Sequence, residues 1–159
     1  MDGSVMRTVR NVLIAIAPVL AAGILGNLAT IPNIPTWYAG LEKPAFTPPN
    51  WVFGPAWTTL YVLMAYAFFR VLQSHAPGRA AAIIWFGLQI SVNALWSWVF
   101  FEGQNPAGGF VVILLLLVLI IGTTAAFWKM DRLAALLLVP YIGWATFAAL
   151  LNWEIYRLN

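Results

Sequence analysis

The chain is 159 residues long, 62% hydrophobic and 8% charged, with nine tryptophans, one histidine and no cysteine. A soluble domain carries about 25% charged residues, so this composition belongs in a bilayer, and the missing cysteine excludes disulfides, thiolate nucleophiles and thiolate metal sites. The net charge of +3 is scattered over loop ends and forms no nucleic-acid patch; the length allows one domain, residues 1–159.

In chain order, uncharged runs extend from Val12 to Ile31, Trp51 to Phe69, Ala80 to Phe101, Gly103 to Trp128 and Leu133 to Trp153. Each reaches or approaches the roughly 20 residues that cross a hydrocarbon core of about 30 Å. Lipid leaves no backbone group unsatisfied, so runs of this length are helices; a barrel would show alternating segments of about 10 residues. The expected fold is an all-α membrane protein, a bundle of five transmembrane helices over about 11–31, 50–71, 80–101, 106–129 and 133–157. A long structured loop, 32–49, joins the first two. A signal peptide is the competing reading of the first run, after Arg7 and Arg10. The run exceeds the usual apolar region of about 7–15 residues, and no persuasive small-residue cleavage site follows. Pro18 and Asn27 interrupt it, which a membrane helix tolerates when neighbours accept the freed groups.

Basic residues set the expected orientation. Arg7, Arg10, Arg70, Arg79, Lys129 and Arg132 fall on the amino-terminal side, leaving Lys43 and Arg157 opposite. An integral, multi-pass protein with a cytoplasmic amino terminus follows if the membrane is of plasma type.

The first connection is long for a compact bundle, and such loops are usually lids, binding loops or disorder. Trp37, Tyr38, Leu41 and Phe46 give it apolar surface to bury. Pro32, Pro35, Pro44, Pro48 and Pro49 restrict its conformations. A short helix is predicted there, with Thr36 as cap and Gly40 as stop. Asn50 is expected to cap the second membrane helix, and Pro55, one turn inside, to bend it by freeing the carbonyl of Trp51.

Depth follows from helical rise. Counted inward from the loop side, Trp57 lies about 9 Å below Trp51, Asn93 about 12 Å below Phe101 and Trp144 about 14 Å below Trp153. Tyr61 and Trp96 fall close to the same layer, and Gln89, Asn93 and Trp96 share one face of the third helix. An aromatic-walled pocket beneath the loop is one consequence. Packing is the competing explanation. Trp51, Trp85, Trp128 and Trp153 at helix ends read as an interfacial belt. Gln89 and Asn93 also serve as interhelical hydrogen-bonding groups, and the pairs Ala22 with Gly26 and Gly122 with Ala126 permit close helix approach.

Two stretches carry a family resemblance. The loop pattern Trp37-Tyr38, Leu41, Lys43-Pro44, Pro48-Pro49, Trp57 and the fifth-helix pattern Val139-Pro140-Tyr141, Trp144, Ala148, Leu151-Asn152, with Asn93-Ala94-Leu95-Trp96 between them, resemble the translocator protein family. It is also called the tryptophan-rich sensory protein or peripheral-type benzodiazepine receptor family, and the similarity covers nearly the whole chain. The resemblance implies a five-helix bundle, often a homodimer, whose pocket opens under the first loop and takes porphyrins, sterols and synthetic apolar ligands. Ligand-binding residues are then expected at Trp37, Tyr38, Trp57, Tyr61, Asn93, Trp96, Tyr141, Trp144, Ala148 and Asn152. Some bacterial members degrade porphyrin in light, and the indoles tied to that chemistry match Trp57 and Trp144, the candidate catalytic residues. The sterol motif departs from the family pattern: Trp153 holds the aromatic place and Arg157 directly follows Tyr156.

A porphyrin is a planar apolar ring with two propionates, so it needs aromatic faces and hydrogen-bond donors, and indoles supply both. Lys43 is the nearest charge partner for a propionate; a headgroup-facing loop cation is the alternative. No carboxylate pair or nucleophile with a base is visible. The leading expectation is therefore a membrane receptor for porphyrins and related apolar ligands, with a sensing or transport role. A light-dependent porphyrin-degrading enzyme is the alternative. A small transporter is the further one, although neither intramembrane charges nor inverted repeats support it. No cofactor or metal is required and no nucleic acid is expected; porphyrin or haem enters as ligand, and the bilayer and a second copy are the other partners. His75 lies in the connection opposite the pocket, and Met64 about 10 Å deeper than Trp57, so neither is expected to ligate haem iron.

Overall fold

The computed structural model describes residues 2–159, and all regular structure among them is helical. Helices run over Gly3–Thr30 (α1), Asn50–Gln73 (α2), Arg79–Ser97 (α3), Pro106–Trp128 (α4), Arg132–Leu137 (α5) and Val139–Leu158 (α6). Among the described residues five segments are long and apolar enough to cross a membrane, α5 and α6 together forming the fifth. The packing order around the bundle is α1, α2, fifth span, α4 and α3, with α3 closing on α1.

Three boundaries differ from the sequence-based expectation. First, α1 begins at Gly3, two turns before the apolar run. Arg7 and Arg10 end the hydrocarbon-compatible stretch, yet both residues are good helix formers. Second, the fifth span breaks at Leu138 (φ −90°, ψ −10°). Pro140 cannot donate to the carbonyl of Leu136 and its ring crowds that group. Third, the end of α3 widens into a π-turn over Trp98–Glu102, closed by Gly103 N–H donating to the Trp98 carbonyl at 2.7 Å. A Cβ on Gly103 would meet the Val99 carbonyl oxygen at 2.7 Å, so the turn requires glycine.

The expected caps are also corrected. Thr36 caps nothing; its hydroxyl donates to the Pro32 carbonyl at 3.0 Å, and the loop helix is one 3₁₀ turn, Tyr38–Gly40. Asn50 is the first residue of α2, with Pro49 before it and no side-chain cap, because Pro49 already sets the extended entry. Caps do occur at Asn105, whose Oδ1 accepts from Gly108 N–H at 2.8 Å, and at Asp131, whose Oδ1 accepts from Ala134 N–H at 3.1 Å.

At the end bearing most of the basic residues, the core is dense. Phe68 stacks on Phe86 at 4.0 Å between centroids and 13° between planes, and Phe86 continues to Phe127 at 6.2 Å. Arg70 Nε donates to Asp131 Oδ2 at 2.8 Å, tying α2 to the start of α5. Asn11, buried on α1, donates to the Leu72 carbonyl at 3.2 Å and to Gln73 Oε1 at 2.6 Å. Small residues do the work expected of them: Gly26 approaches Ser97, and Gly122 admits the six-membered ring of Trp85. Trp85 therefore packs α3 against α4 instead of serving only the interfacial belt, whereas Trp51 is 74% exposed. At the basic end α2 packs on α5, but towards the loop it draws away from α6. The space left there is the candidate site.

Candidate functional site

The loop between α1 and α2 is a folded lid. Tyr38 is 5% exposed and lies 5.6 Å from the Phe101 ring, while Trp37 meets Phe100 edge-on at 5.5 Å. The π-turn presents these two phenylalanines side by side, at 4.9 Å between centroids. Lys43 Nζ sits 4.6 Å above the Tyr38 ring and donates to the Leu41 carbonyl at 3.1 Å. Burial pushes the Tyr38 hydroxyl above its ordinary pKa and keeps it neutral. A paired contact pins the lid to the end of α6: Asn159 Oδ1 accepts from Glu42 N–H at 3.0 Å and Asn159 Nδ2 donates to the Glu42 carbonyl at 2.9 Å.

Beneath the lid is a cavity of about 1130 Å³. Of the ten residues expected in a site, eight line it: Tyr38, Trp57, Tyr61, Asn93, Trp96, Trp144, Ala148 and Asn152. Trp37 stands behind Phe100 and Phe101, and Tyr141, 1% exposed, forms the floor below the lining. The layer reckoned from helical rise is thus a physical one. Trp57 lies 5.8 Å from Tyr61, 6.3 Å from Tyr141 and 6.5 Å from Trp144, the last pair at 89° between planes. Edge-to-face contact of this kind satisfies the ring quadrupoles and holds the indoles rigidly.

The polar groups are committed one by one. Tyr61 donates to Asn93 Oδ1 at 2.9 Å, Asn93 Nδ2 donates to the Tyr141 hydroxyl at 2.8 Å, and Tyr141 donates to Gln89 Oε1 at 2.9 Å. Gln89 Nε2 then points at Met64 Sδ, 3.8 Å away. Gln89 and Asn93 share a face of α3 because they are four residues apart, and this chain holds α2, α3 and α6 together at the base of the chamber. Higher up, Trp96 Nε1 donates to Asn152 Oδ1 at 3.0 Å, and Asn152 Nδ2 to the Pro106 carbonyl at 2.7 Å. Of the buried donors of the site, Trp144 Nε1 has no partner among the described residues. A buried N–H left unpaired costs about 1–3 kcal/mol.

Among the lining residues not expected from the sequence, four complete the aromatic chamber. Phe53 meets Trp144 at 5.9 Å, Phe100 stacks on Trp96 at 5.3 Å and 22°, and Phe101 and Leu151 complete the upper wall. The available signal was local: Phe53 precedes Trp57 by one turn and Phe100 follows Trp96 by one turn, spacings that place each pair on one face. Lys43 is not among the lining residues; its charge is spent on the lid. His75 lies at the opposite end, its Nε2 2.7 Å from Arg7 Nη2, and Met64 is fully buried behind the chamber.

The whole arrangement matches a known protein family over residues 14–157. The chain belongs to the TspO/MBR family. Relatives in this family include a tryptophan-rich protein TspO of Archaeoglobus fulgidus, 42% identical over 91% of this chain and 94% of its own length. The protein CrtK of Rhodobacter capsulatus is 38% identical over 88% and 89%, and the translocator protein of Homo sapiens 37% identical over 77% and 75%. This TspO/MBR chain is accordingly an integral, multi-pass membrane protein of a family whose members are named for sensing and translocation.

Proposed function

We propose that this TspO/MBR protein is a membrane receptor that binds porphyrins and related planar apolar ligands in the chamber beneath the lid, with a sensing or transport role. The observation that carries this is the pairing of rigid aromatic walls with one unsatisfied donor. Trp57, Trp96, Trp144 and Tyr61 offer faces for a flat ring, and Trp144 Nε1 offers a hydrogen bond to a carboxylate or carbonyl oxygen. Lys43 is engaged with Tyr38, so a propionate finds its donor in the indole and not in a lysine. Burial of an ionised carboxylate in so apolar a wall is costly, which favours an orientation with the second propionate towards the lid and water. The proposal includes a cytoplasmic amino terminus, favoured by the basic residues at that end, and pairing into a homodimer.

One observation favours a second reading, light-dependent porphyrin degradation. Trp57 and Trp144 are 6.5 Å apart and both line the chamber, so a ring held there touches two oxidisable indoles. The test is to incubate the purified protein with protoporphyrin in the dark and in light and to follow the absorbance. Saturable binding with stable absorbance in both arms supports the receptor; loss confined to light and to protein with both tryptophans supports degradation; no saturable binding overturns both.

A further inference from the structure

The cavity does not stop at the aromatic chamber. Its lining continues along α1 from Ile31 to Val12 and along α2 from Trp51 to Phe69, about 27–29 Å at 1.5 Å per residue. That is nearly the full hydrocarbon thickness of about 30 Å. The volume of about 1130 Å³ also exceeds the roughly 300–1,000 Å³ of a pocket shaped for one compact ligand. Between the two helices the lining forms a groove open to the bilayer. Its floor is made of small or buried residues, Ala15, Val19 and Gly23, with Ala65 facing them. Its lips, Ile16 and Leu20 on α1 and Val62 and Tyr66 on α2, are exposed.

The groove has a polarity gradient. From Val12 to Gly23, and from Val62 to Phe69, its lining is apolar apart from the Tyr66 hydroxyl. Towards the lid, Asn27 and Thr30 line it from α1, and Asn50 and Thr58 from α2. Asn93 and Asn152 are buried and bonded within the protein, whereas Asn27 and Asn50 are exposed on opposite lips. Asn27 lies four residues inside the end of the span at Ile31, about 6 Å below it. A carboxamide exposed at that depth finds no hydrogen-bond partner in hydrocarbon.

We propose that the α1–α2 groove is a binding site for a single-chain amphiphile, with an uncharged hydroxyl or ester head at Asn27 and Asn50 and one hydrocarbon chain laid along α1 towards Val12. One chain is specified because helices pack at about 8–10 Å and leave a single row between their ridges, so a diacyl lipid can place only one of its two tails. Among the described residues no cation lines this stretch, which argues against a phosphate head as the preferred partner. The groove and the chamber are two parts of one continuous cavity; the groove differs from the chamber in the ligand it takes and in the residues that recognise it.

The test uses the full chain in phosphatidylcholine nanodiscs with a long-chain monoacylglycerol carrying a diazirine near the end of its chain, and crosslinks mapped by mass spectrometry. The expected result is saturable labelling confined to α1 between Val12 and Leu20 and α2 between Val62 and Phe69, displaced by unlabelled monoacylglycerol and not by added phosphatidylcholine. Asn27→Leu should weaken that labelling about fivefold, the loss of about one hydrogen bond, while protoporphyrin quenching of tryptophan fluorescence persists. Gly23→Leu should also block it. A Cβ there meets the Tyr61 ring at 3.5 Å, an ordinary contact, and the rest of the side chain enters the groove; an unchanged helical circular dichroism spectrum separates blockage from misfolding. Labelling spread over the bilayer-facing sides of all five spans, labelling displaced equally by the diacyl lipid, or crosslinks to a second copy of the chain would each overturn the proposal.

Discussion

The two ends of this bundle are built from the same helices on different terms. At the basic end, Phe68, Phe86 and Phe127 stack in parallel with almost no exposure, and the helix ends are tied by Arg70 to Asp131 and by Asn11 to Gln73. At the lid end, the rings of Phe53, Trp57, Trp144 and Phe147 meet edge-on or tilted around a cavity, and Trp144 keeps an unpaired N–H. Lipid is as apolar as the helices themselves, so stability in a membrane comes from packing and not from transfer out of water. A region that gives up packing to hold a cavity must therefore be supported by one that does not. The bundle separates the two along its axis, with the Gln89–Tyr141–Asn93–Tyr61 chain as the layer between them.

The largest expected effect breaks the dense end. Phe86→Ala removes a ring held between two others; even without a water-transfer contribution, the cavity should cost about 2 kcal/mol or more. Thermal unfolding in detergent should register it, with protoporphyrin affinity in the still-folded protein changing little. Next comes the dividing layer. Asn93→Leu strands the Tyr61 hydroxyl and removes the N–H that Tyr141 accepts, leaving Tyr141 its bond to Gln89; it should cost about 1–2 kcal/mol while also weakening ligand binding, because Tyr61 lines the chamber. A loss of stability with unaltered binding would show that the layer supports only the dense end.

A smaller, pH-dependent effect belongs to the basic end alone. Burial raises the Asp131 pKa, but the hydrogen bond from Arg70, the backbone N–H of Ala134 and the Arg70 charge outweigh it and hold the carboxyl below its ordinary value of 3.8. A depressed folded pKa means the contribution is complete above the ordinary carboxylate range and fades as pH falls through the lowered value. Arg70→Gln should thus lower the unfolding temperature slightly at pH 7, by the equivalent of about 1 kcal/mol or less, and the difference should vanish in strong acid. The smallest effect expected is on haem. His75→Ala, at the end opposite the chamber, should leave haem and protoporphyrin affinities and the haem Soret band unchanged. Loss of haem binding alone would place a haem site at the basic end.

Much of this division was legible in the sequence. Counting residues inward from the loop grouped Trp57, Asn93 and Trp144 correctly, because helical rise converts position into depth whatever the neighbours do. The face of Gln89, Asn93 and Trp96 was equally readable from spacing. Rotations about the helix axis were not. Trp37 turned out to back the lid, since the π-turn at Trp98–Glu102 swings Phe100 and Phe101 in front of it, and no composition signal marks a π-turn. Thr36 and Asn50 carry the residue types of caps, but prolines next to them fix the backbone first. The fate of Lys43 was likewise invisible: whether a loop cation meets ligand, water or a tyrosine ring depends on a fold of the loop that spacing does not encode.

The central claim is that the lid-end chamber is the ligand site, and Trp144 tests it most directly. Protoporphyrin titrated into the wild-type protein should quench tryptophan fluorescence saturably, and Trp144→Leu should weaken that binding about tenfold or more, through loss of a ring face and the unpaired donor, with little change in unfolding temperature. Undiminished affinity in Trp144→Leu, measured alongside a normal melting curve, would contradict the account and remove the chamber from the binding site.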